Sequence, residues 1–454
     1  MAQQFWIETL GCPKNQVDSD KLIGTMLADG LRPAERPEDA DLVVVNTCAF
    51  VEEARQESID TILELRAARR PGAEVVVTGC LAERYGPELA DAMPEIDRVA
   101  PFGVPVTLGS TRGPARDGTP AGGATVPAFD LLELPRPAAR APWAYVKVAE
   151  GCDRRCGFCA IPSFRGPQRS RSIESILAEV EALEVQEVVL VAQDLAAFGR
   201  DQGRGERRIV PLVREVARRV PWVRLLYLYP SDLTDELIES ICGTGVPYFD
   251  LSLQHVSRPL LRRMRRWGDG EVFARRMADI RRREPAAAFR SNFIVGYPGE
   301  TEDDHDRLLA FVDEVRLDWC GFFPYSEEEG THGAGLEPKV PAGLRNERLA
   351  ELRELQDRIT AEKRDERIGS EVLLLVDGPG VGRSAAEAPE IDGVIQLPGS
   401  AGTGGRGAAG GAQATGPGDF ARATIVGATG PDLVAGPLEP AAPPRATVAG
   451  VGGR

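Results

Sequence analysis

The chain has 454 residues, is 43% hydrophobic, and carries a formal net charge of −15. That length calls for roughly two to four domains, and the acidic balance argues against a general nucleic-acid binder, which is usually basic. No apolar run approaches the ~18 residues of a membrane span, and the opening Met1–Trp6 lacks the basic-then-apolar pattern of a secretory signal.

Eight cysteines without an export signal point to a reducing, cytoplasmic setting, with free thiols or metal ligands rather than disulfides. Lysine occurs only at Lys14, Lys21, Lys147, Lys339 and Lys363. The many arginines, with abundant Ala, Gly and Pro, read as a GC-rich coding sequence.

Residues 1–135 read as a small α/β domain. Phe5–Thr9, Leu42–Asn46 and Val75–Thr78 are strands, and their β-branched runs fit buried parallel pairing. Asp18–Asp29 and Ala54–Arg69 are the intervening helices. Cys12, Cys48 and Cys80 each follow one of the three strands. Crevices at the carboxyl ends of open α/β sheets are where ligands bind, so three thiols could converge there on one cluster. Three unrelated buried cysteines are the plainer alternative, but the repeated strand-end placement points to a second cluster with three protein ligands and an open iron.

Pro135, Pro137 and Pro142 mark a linker. Residues 136–368 then carry six strand patterns: Trp143–Val148, Glu187–Ala192, Trp222–Leu228, Tyr248–Leu253, Arg290–Val295 and Asp318–Phe323. Helices Ile173–Leu183, Ile209–Arg219, Leu233–Ile241, Val272–Arg283 and Glu302–Val315 separate them. Six βα units imply a parallel sheet with helices outside. A full barrel needs eight, so an open partial barrel is expected, with helix Leu344–Arg367 leading out. Residues 369–440, with strands Val372–Val376 and Ala423–Val426, read as a small β-barrel. Gly399–Gly418 reads as a flexible loop and residues 441–454 as a disordered tail.

Directly after Trp143–Val148 comes Cys152, then Cys156 and Cys159, a C-x₃-C-x₂-C spacing. Cubane iron–sulfur clusters normally take four thiolates, so three leave one iron open to a substrate. Structural zinc would want a closed four-ligand site, and no fourth Cys or His lies nearby. Gly151 and Gly157 give the loop freedom to wrap a cluster.

This triple, at the end of the first strand of a six-fold βα repeat, resembles the radical S-adenosylmethionine superfamily. The surrounding segments narrow the resemblance. Thr9–Ser19 (TLGCPKNQVDS), Asn46–Phe50 (NTCAF), Thr78–Tyr85 (TGCLAERY) and Ile294–Thr301 (IVGYPGET) look like the methylthiotransferases, over about residues 5–436. The resemblance implies an N-terminal cluster domain, a radical core and a C-terminal TRAM β-barrel. It implies two [4Fe–4S] clusters, one on Cys12, Cys48 and Cys80 and one on Cys152, Cys156 and Cys159, with S-adenosyl-L-methionine as cosubstrate. It assigns no catalytic residue beyond the cluster ligands.

Two branches of the family differ in substrate: an adenosine of transfer RNA, or an aspartate of the twelfth small-subunit ribosomal protein. Ala149–Asp153, Tyr227–Pro230, Gly382–Arg383 and Ala388–Gly393 are similar to the ribosomal-protein branch. In residues 369–436 seven acids stand against three bases. Such a surface should repel phosphates and attract a basic protein, which makes transfer RNA the less favoured substrate. Ser252, where the family usually has Pro, and the long Gly-rich loop are departures. The sequence identifies neither a sulfur donor nor an electron donor.

Phe158, inside the cysteine loop, and Gln193, Gln254 and Gly296, at strand ends, are candidates for S-adenosylmethionine contacts. Asp194, His255, Tyr325 and Ser326 follow strands in the same way. Cys242 and Cys320 read as core residues. The run Arg262, Arg263, Arg265 and Arg266 reads as a solvated helix face, with docking on ribosomal RNA as the sharper alternative.

Overall fold

The computed structural model describes residues 3–108, 129–203, 205–398 and 415–447. Most of Gly399–Gly418 and the end of the expected tail lie outside the described residues.

The first domain holds a parallel sheet of β1 (Gln4–Thr9), β2 (Arg32–Pro33), β3 (Leu42–Thr47), β4 (Glu74–Gly79) and β5 (Arg98–Ala100), in the order β2-β1-β3-β4-β5. Every residue of β3 is buried, as expected for a strand covered on both faces. The register aligns Thr9 with Asn46 and Asn46 with Thr78, so these three strands end level and their following loops become neighbours.

Helix α1 (Pro13–Ala28) starts five residues ahead of the expected Asp18. Pro13 at its first position is pre-set for a helix start, and the turn closes at once, with the Asn15 and Gln16 N–H groups donating to the Cys12 carbonyl. Helix α2 is Glu52–Ala68. Helix α3 (Cys80–Ala92), not foreseen in the sequence, begins on Cys80 itself and kinks at Tyr85, just ahead of the internal Pro87.

The second region contains β6 (Trp143–Lys147), β7 (Ala149–Glu150), α4 (Ile161–Arg165), β8 (Arg169–Ser170), α5 (Ile173–Leu183), β9 (Glu187–Val191), α6 (Ile209–Ala217), β10 (Trp222–Leu225), α7 (Asp235–Cys242), β11 (Tyr248–Gln254), α8 (Arg258–Arg263), α9 (Gly270–Arg283), β12 (Ala288–Val295), α10 (Glu302–Val315), β13 (Trp319–Pro324) and α11 (Ala342–Asp365). Strands β6-β9-β10 and β11-β12-β13 pair in parallel. A parallel bridge from Leu228 to Leu251 joins the two halves, completing the expected six-stranded partial barrel. The sequence extended β10 to Leu228, but the regular strand stops at Leu225. Tyr227 takes a φ of 65°, and its N–H donates to the Asp250 carboxylate at 3.0 Å. Helices α5 to α10 pack their apolar stripes on the outer face, where Val146, Val188, Leu190, Phe249 and Phe289 are buried with Ile176, Leu212 and Met277.

The third region comprises β14 (Glu371–Gly378), β15 (Val381–Ser384), β16 (Ile395–Gln396), β17 (Phe420–Thr429), β18 (Asp432–Ala435) and β19 (Glu439–Ala441). Pairing runs β14-β15-β16-β18-β17 and back to β14, a closed five-stranded barrel with β19 added on β17. Alternate residues Val372, Leu374 and Val376 fill its centre with Ala421, Ala423 and Ile425.

This small barrel seals the amino-terminal end of the partial barrel. Tyr145, Trp222, Tyr248 and Trp319, at or near the starts of their strands, pack with Leu375, Ala388 and Phe420. Tyr145 Oη donates to the Pro389 carbonyl at 2.7 Å and Trp319 Nε1 to the Ala386 carbonyl at 2.7 Å. Buried Glu187 takes Arg224 at 2.8 Å and Arg383 at 2.8 Å.

This docking corrects the charge argument. Glu387 and Asp392 are 1% and 2% exposed (residue and side chain, respectively), and Asp377 is paired with Arg383. Three of the seven acids are therefore spent inside the protein and do not form a surface field. Among the described residues no helix is long and apolar enough to cross a membrane.

Candidate active site

The first cysteine trio converges as the level strand ends require. Gly11, with a φ of +92°, lies so close to Cys48 that an added Cβ would sit 2.7 Å from the Cys48 Cβ. Asn15 on the first turn of α1 ties the loops together, with Nδ2 donating to the Leu10 carbonyl at 2.9 Å and to the Thr47 carbonyl at 3.0 Å. Gly79 has no room for a side chain either, since its φ is +88° and the Thr47 backbone is in contact. Cys12 and Cys80 sit at helix N-termini, where negative charge is favoured.

Electrostatics record the same proximity. Burial pushes the Cys12 thiol up, but Lys14, Arg165 and two backbone N–H groups outweigh it, and its pKa falls below the ordinary value. Burial and then the neighbouring Cys12 and Cys80 push Cys48 up to about 12. Burial raises Cys80 against the opposing pull of Arg165.

The second trio lies on the loop after β7. The Gly157 N–H donates to the Met264 carbonyl at 2.7 Å, and a Cβ there would meet Tyr297 Oη at 2.5 Å. Arg266 Nη1 donates to Cys156 Sγ at 3.2 Å, and the Arg154 N–H to Cys152 Sγ at 3.4 Å. Tyr229 has Arg154 at 3.8 Å and Arg266 at 4.3 Å from its ring centroid. Arg154 is anchored by Asp194 at 2.6 Å and by Asp232. Burial pushes Cys152 and Cys159 up to about 12.

Arg165 connects the two trios. It ends α4, the short helix that follows Cys159, and it is 8% exposed. Its Nη2 donates to Cys80 Sγ at 3.0 Å and to Asn15 Oδ1 at 2.8 Å, while Nη1 donates to Glu150 at 2.8 Å. Glu150 also takes Lys147 at 2.7 Å and Gln193 Nε2 at 2.8 Å. Burial alone would raise the Glu150 carboxyl, but Arg165 and Lys147 hold it well below the usual range. Lys147 is paired with Asp18 of α1, so the network crosses the domain boundary twice.

The first domain spans the carboxyl-end mouth of the partial barrel. Beyond Asp18 and Cys80 at the β6 side, Lys14 lies over the Tyr227 ring past β10, and Arg84 reaches Glu328 past β13 at 2.6 Å. The Glu52 N–H donates to Ser326 Oγ at 3.1 Å.

Of the other sequence candidates, Gln193 is drawn into the Glu150 network, and its Oε1 is buried without a partner. Gln254 ends β11 in a left-handed conformation, with a φ of 71°. Phe158 packs partly buried against the main core. Gly296, with a φ of +83°, faces the aliphatic chain of Arg345, which an added Cβ would meet at 2.6 Å. His255 is fully buried, with Nδ1 accepting the Ser257 N–H. Tyr325 is buried edge-on against Tyr297. Cys242 and Cys320 pack against the core. The arginine run is divided: Arg262 and Arg265 are exposed as expected, whereas Arg266 is 8% exposed on Cys156 and Arg263 donates to the Pro298 carbonyl at 2.8 Å.

Sequence reasoning missed Arg165, Arg266, Arg154, Glu150 and Lys14. Lys14 and Glu150 lay inside quoted motifs, which was a usable signal. Arg154 lay inside the cysteine loop and Arg266 in the arginine run, whereas Arg165 had no such signal.

Among the described residues no three His, Cys, Asp or Glu side chains gather around a single metal ion. A cubane asks for something else, one thiolate for each of several irons. All eight cysteines are free, and the N–H groups aimed at Cys80, Cys152 and Cys156 suit thiolates bound to iron. The residues fit two such groups.

Comparison with known proteins agrees. Residues 4–101 match the Uncharacterized protein family UPF0004, residues 146–312 the Radical SAM superfamily and residues 368–437 the TRAM domain. The chain is 44% identical to the ribosomal protein uS12 methylthiotransferase RimO of Moorella thermoacetica, over 86% of this chain and 92% of that one. It is 42% identical to the same-named protein of Salinispora arenicola, over 94% of each. The chain belongs to the ribosomal protein uS12 methylthiotransferase family. A solved radical S-adenosylmethionine methyltransferase, TsrM from Kitasatospora setae, is similar at 17% identity with a TM-score of 0.44, over 84% of this chain and 80% of that one.

Proposed function

We propose that this chain places a methylthio group on the β-carbon of an aspartate of ribosomal protein uS12, in the cytoplasm, using S-adenosyl-L-methionine and two [4Fe–4S] clusters. The observation that supports it most is the meeting of two three-cysteine loops from different domains across Arg165. Cys152, Cys156 and Cys159 would hold one cluster, and Cys12, Cys48 and Cys80 the other. When bound, these groups supply a 5′-deoxyadenosyl radical that opens an unactivated C–H bond, and a sulfur atom to be joined there. The functional units would be 1–135, 136–368 and 369–440, followed by the tail.

The chain's own residues orient and enclose. Arg165 and Arg266 donate to Cys80 and Cys156 and so fix where negative charge sits. Phe158, Gln193, Gln254 and Gly296 are the candidates to contact S-adenosylmethionine at the mouth, Gly296 through its backbone because Arg345 leaves no room for a side chain there. The first domain covers the mouth and the small barrel seals the opposite end, which keeps water from a reactive intermediate. The transfer-RNA alternative is not favoured, because the relatives carry the uS12 name.

The test is anaerobic reconstitution with dithionite, S-adenosylmethionine, sulfide and purified uS12. The expected result is 5′-deoxyadenosine together with methylthiolated uS12. Formation of neither product would count against the proposal.

A further inference from the structure

Among the described residues Lys14 is an ammonium with no carboxylate or oxygen acceptor, lying beside Cys12 and over the Tyr227 ring. It follows Cys12 by two residues and is 8% exposed. Its Nζ stands 3.4 Å from the centroid of the Tyr227 ring. Among the described residues no carboxylate, carbonyl or hydroxyl accepts from it. The nearby acids are engaged elsewhere: Asp18 with Lys147, Glu150 with Lys147 and Arg165, and Asp250 with Arg290. Three other cations around the mouth are held, Arg154 by Asp194, Arg266 by the Ser252 carbonyl and Cys156, and Arg84 by Glu328.

The Cys12 sulfur is the neighbouring negative partner of Lys14, but a sulfur on one side leaves an ammonium N–H free for an incoming oxygen acceptor. An aromatic face helps hold such a cation but leaves its N–H groups unsatisfied. The position matters as much as the charge. Lys14 projects from the first domain onto Tyr227, two residues past the end of β10, so it faces the mouth between the Cys12 loop and the partial barrel.

Building on the proposed function, we infer that Lys14 receives the side-chain carboxylate of the substrate aspartate. The carboxylate then gives the Lys14 ammonium the oxygen acceptor that the mouth does not supply. Its β-carbon, one bond away, lies beside the Cys12 loop. An asparagine side chain would offer the ammonium a neutral acceptor in place of a charged one, so the same contact selects aspartate over asparagine.

The test uses the reconstituted holoenzyme without reductant and measures equilibrium binding of purified uS12 and of uS12 with the target Asp replaced by Asn. Wild type should prefer the Asp form by about tenfold or more, the effect of one charge-assisted hydrogen bond. Lys14→Met should bind both forms equally, and Lys14→Gln, kept in case the Met variant loads poorly, should do the same. Lys14→Arg should keep the preference. Electron paramagnetic resonance of each variant separates this role from tuning of the adjoining cluster. A changed spectrum with the Asp preference intact overturns the assignment. If wild type modifies uS12 while the neutral variants keep the preference, the role of Lys14 alone is wrong. If wild type leaves uS12 unmodified, the proposed function itself fails.

Discussion

Arg165 donates from Nη2 to the Sγ of Cys80 at 3.0 Å, a contact between residues 85 positions apart in two domains. Its other nitrogen holds Glu150, two residues ahead of Cys152. One buried guanidinium therefore sets the first domain on the radical core and sets the two cysteine loops relative to each other.

Removing that guanidinium leaves Glu150 with only Lys147 as a cationic partner and frees Asn15 and Cys80. Arg165→Met should cost about 3 kcal/mol or more, the usual effect of breaking a buried charged network from one side. Denaturant unfolding should show the first domain melting ahead of the core, and limited proteolysis should cut in the linker near Pro135. Coincident wild-type transitions would contradict the bridging role.

Arg266 is expected to act on the second trio. An N–H donated to a thiolate sulfur raises the reduction potential of a cluster bound there. Arg266→Gln should therefore lower the potential of the Cys152, Cys156 and Cys159 cluster in a redox titration followed by electron paramagnetic resonance. An unchanged or raised potential would remove Arg266 from that role.

The small barrel should be held on by charge as well as by apolar packing. Arg383→Met leaves Glu187, fully buried, with Arg224 alone. A loss of about 3 kcal/mol is expected, with proteolysis near residue 369 appearing first. Equal resistance of variant and wild type would show that the contacts of Trp319 and Tyr248 suffice.

Acid sensitivity should come partly from His255. Burial, with smaller contributions from His305 and Arg348 against Asp304, lowers its pKa from 6.5 to about 4. Between these values the unfolded chain binds a proton that the folded chain refuses, so stability is full above pH 6.5 and falls as pH drops towards 4. The loss is of the order of 3 kcal/mol. In His255→Gln the melting temperature should fall less steeply over that window. A parallel fall would assign the acid sensitivity to other groups.

Much of this was legible locally. The β-branched runs gave β1, β3 and β4, and a level register then brought Cys12, Cys48 and Cys80 together without further information. The six βα units were equally clear, because each strand and helix carries its own periodicity. What escaped was decided by distant partners. No pattern distinguishes Arg165 from the other arginines; its role exists only because α4 packs under α3. Counting acids in residues 369–436 treated Glu387 and Asp392 as surface groups, whereas Arg364 and Tyr248, from the core, take them inside. The early start of α1 could have been read from Pro13, and it is what aims Lys14 at Tyr227.

Mass spectrometry of uS12 from cells lacking this chain tests the central claim most directly. The account predicts that the methylthio mass on the aspartate disappears and returns when the wild-type chain is restored, but not when the restored chain carries Cys12→Ala, Cys48→Ala and Cys80→Ala. Persistence of that mass in cells without the chain would contradict it.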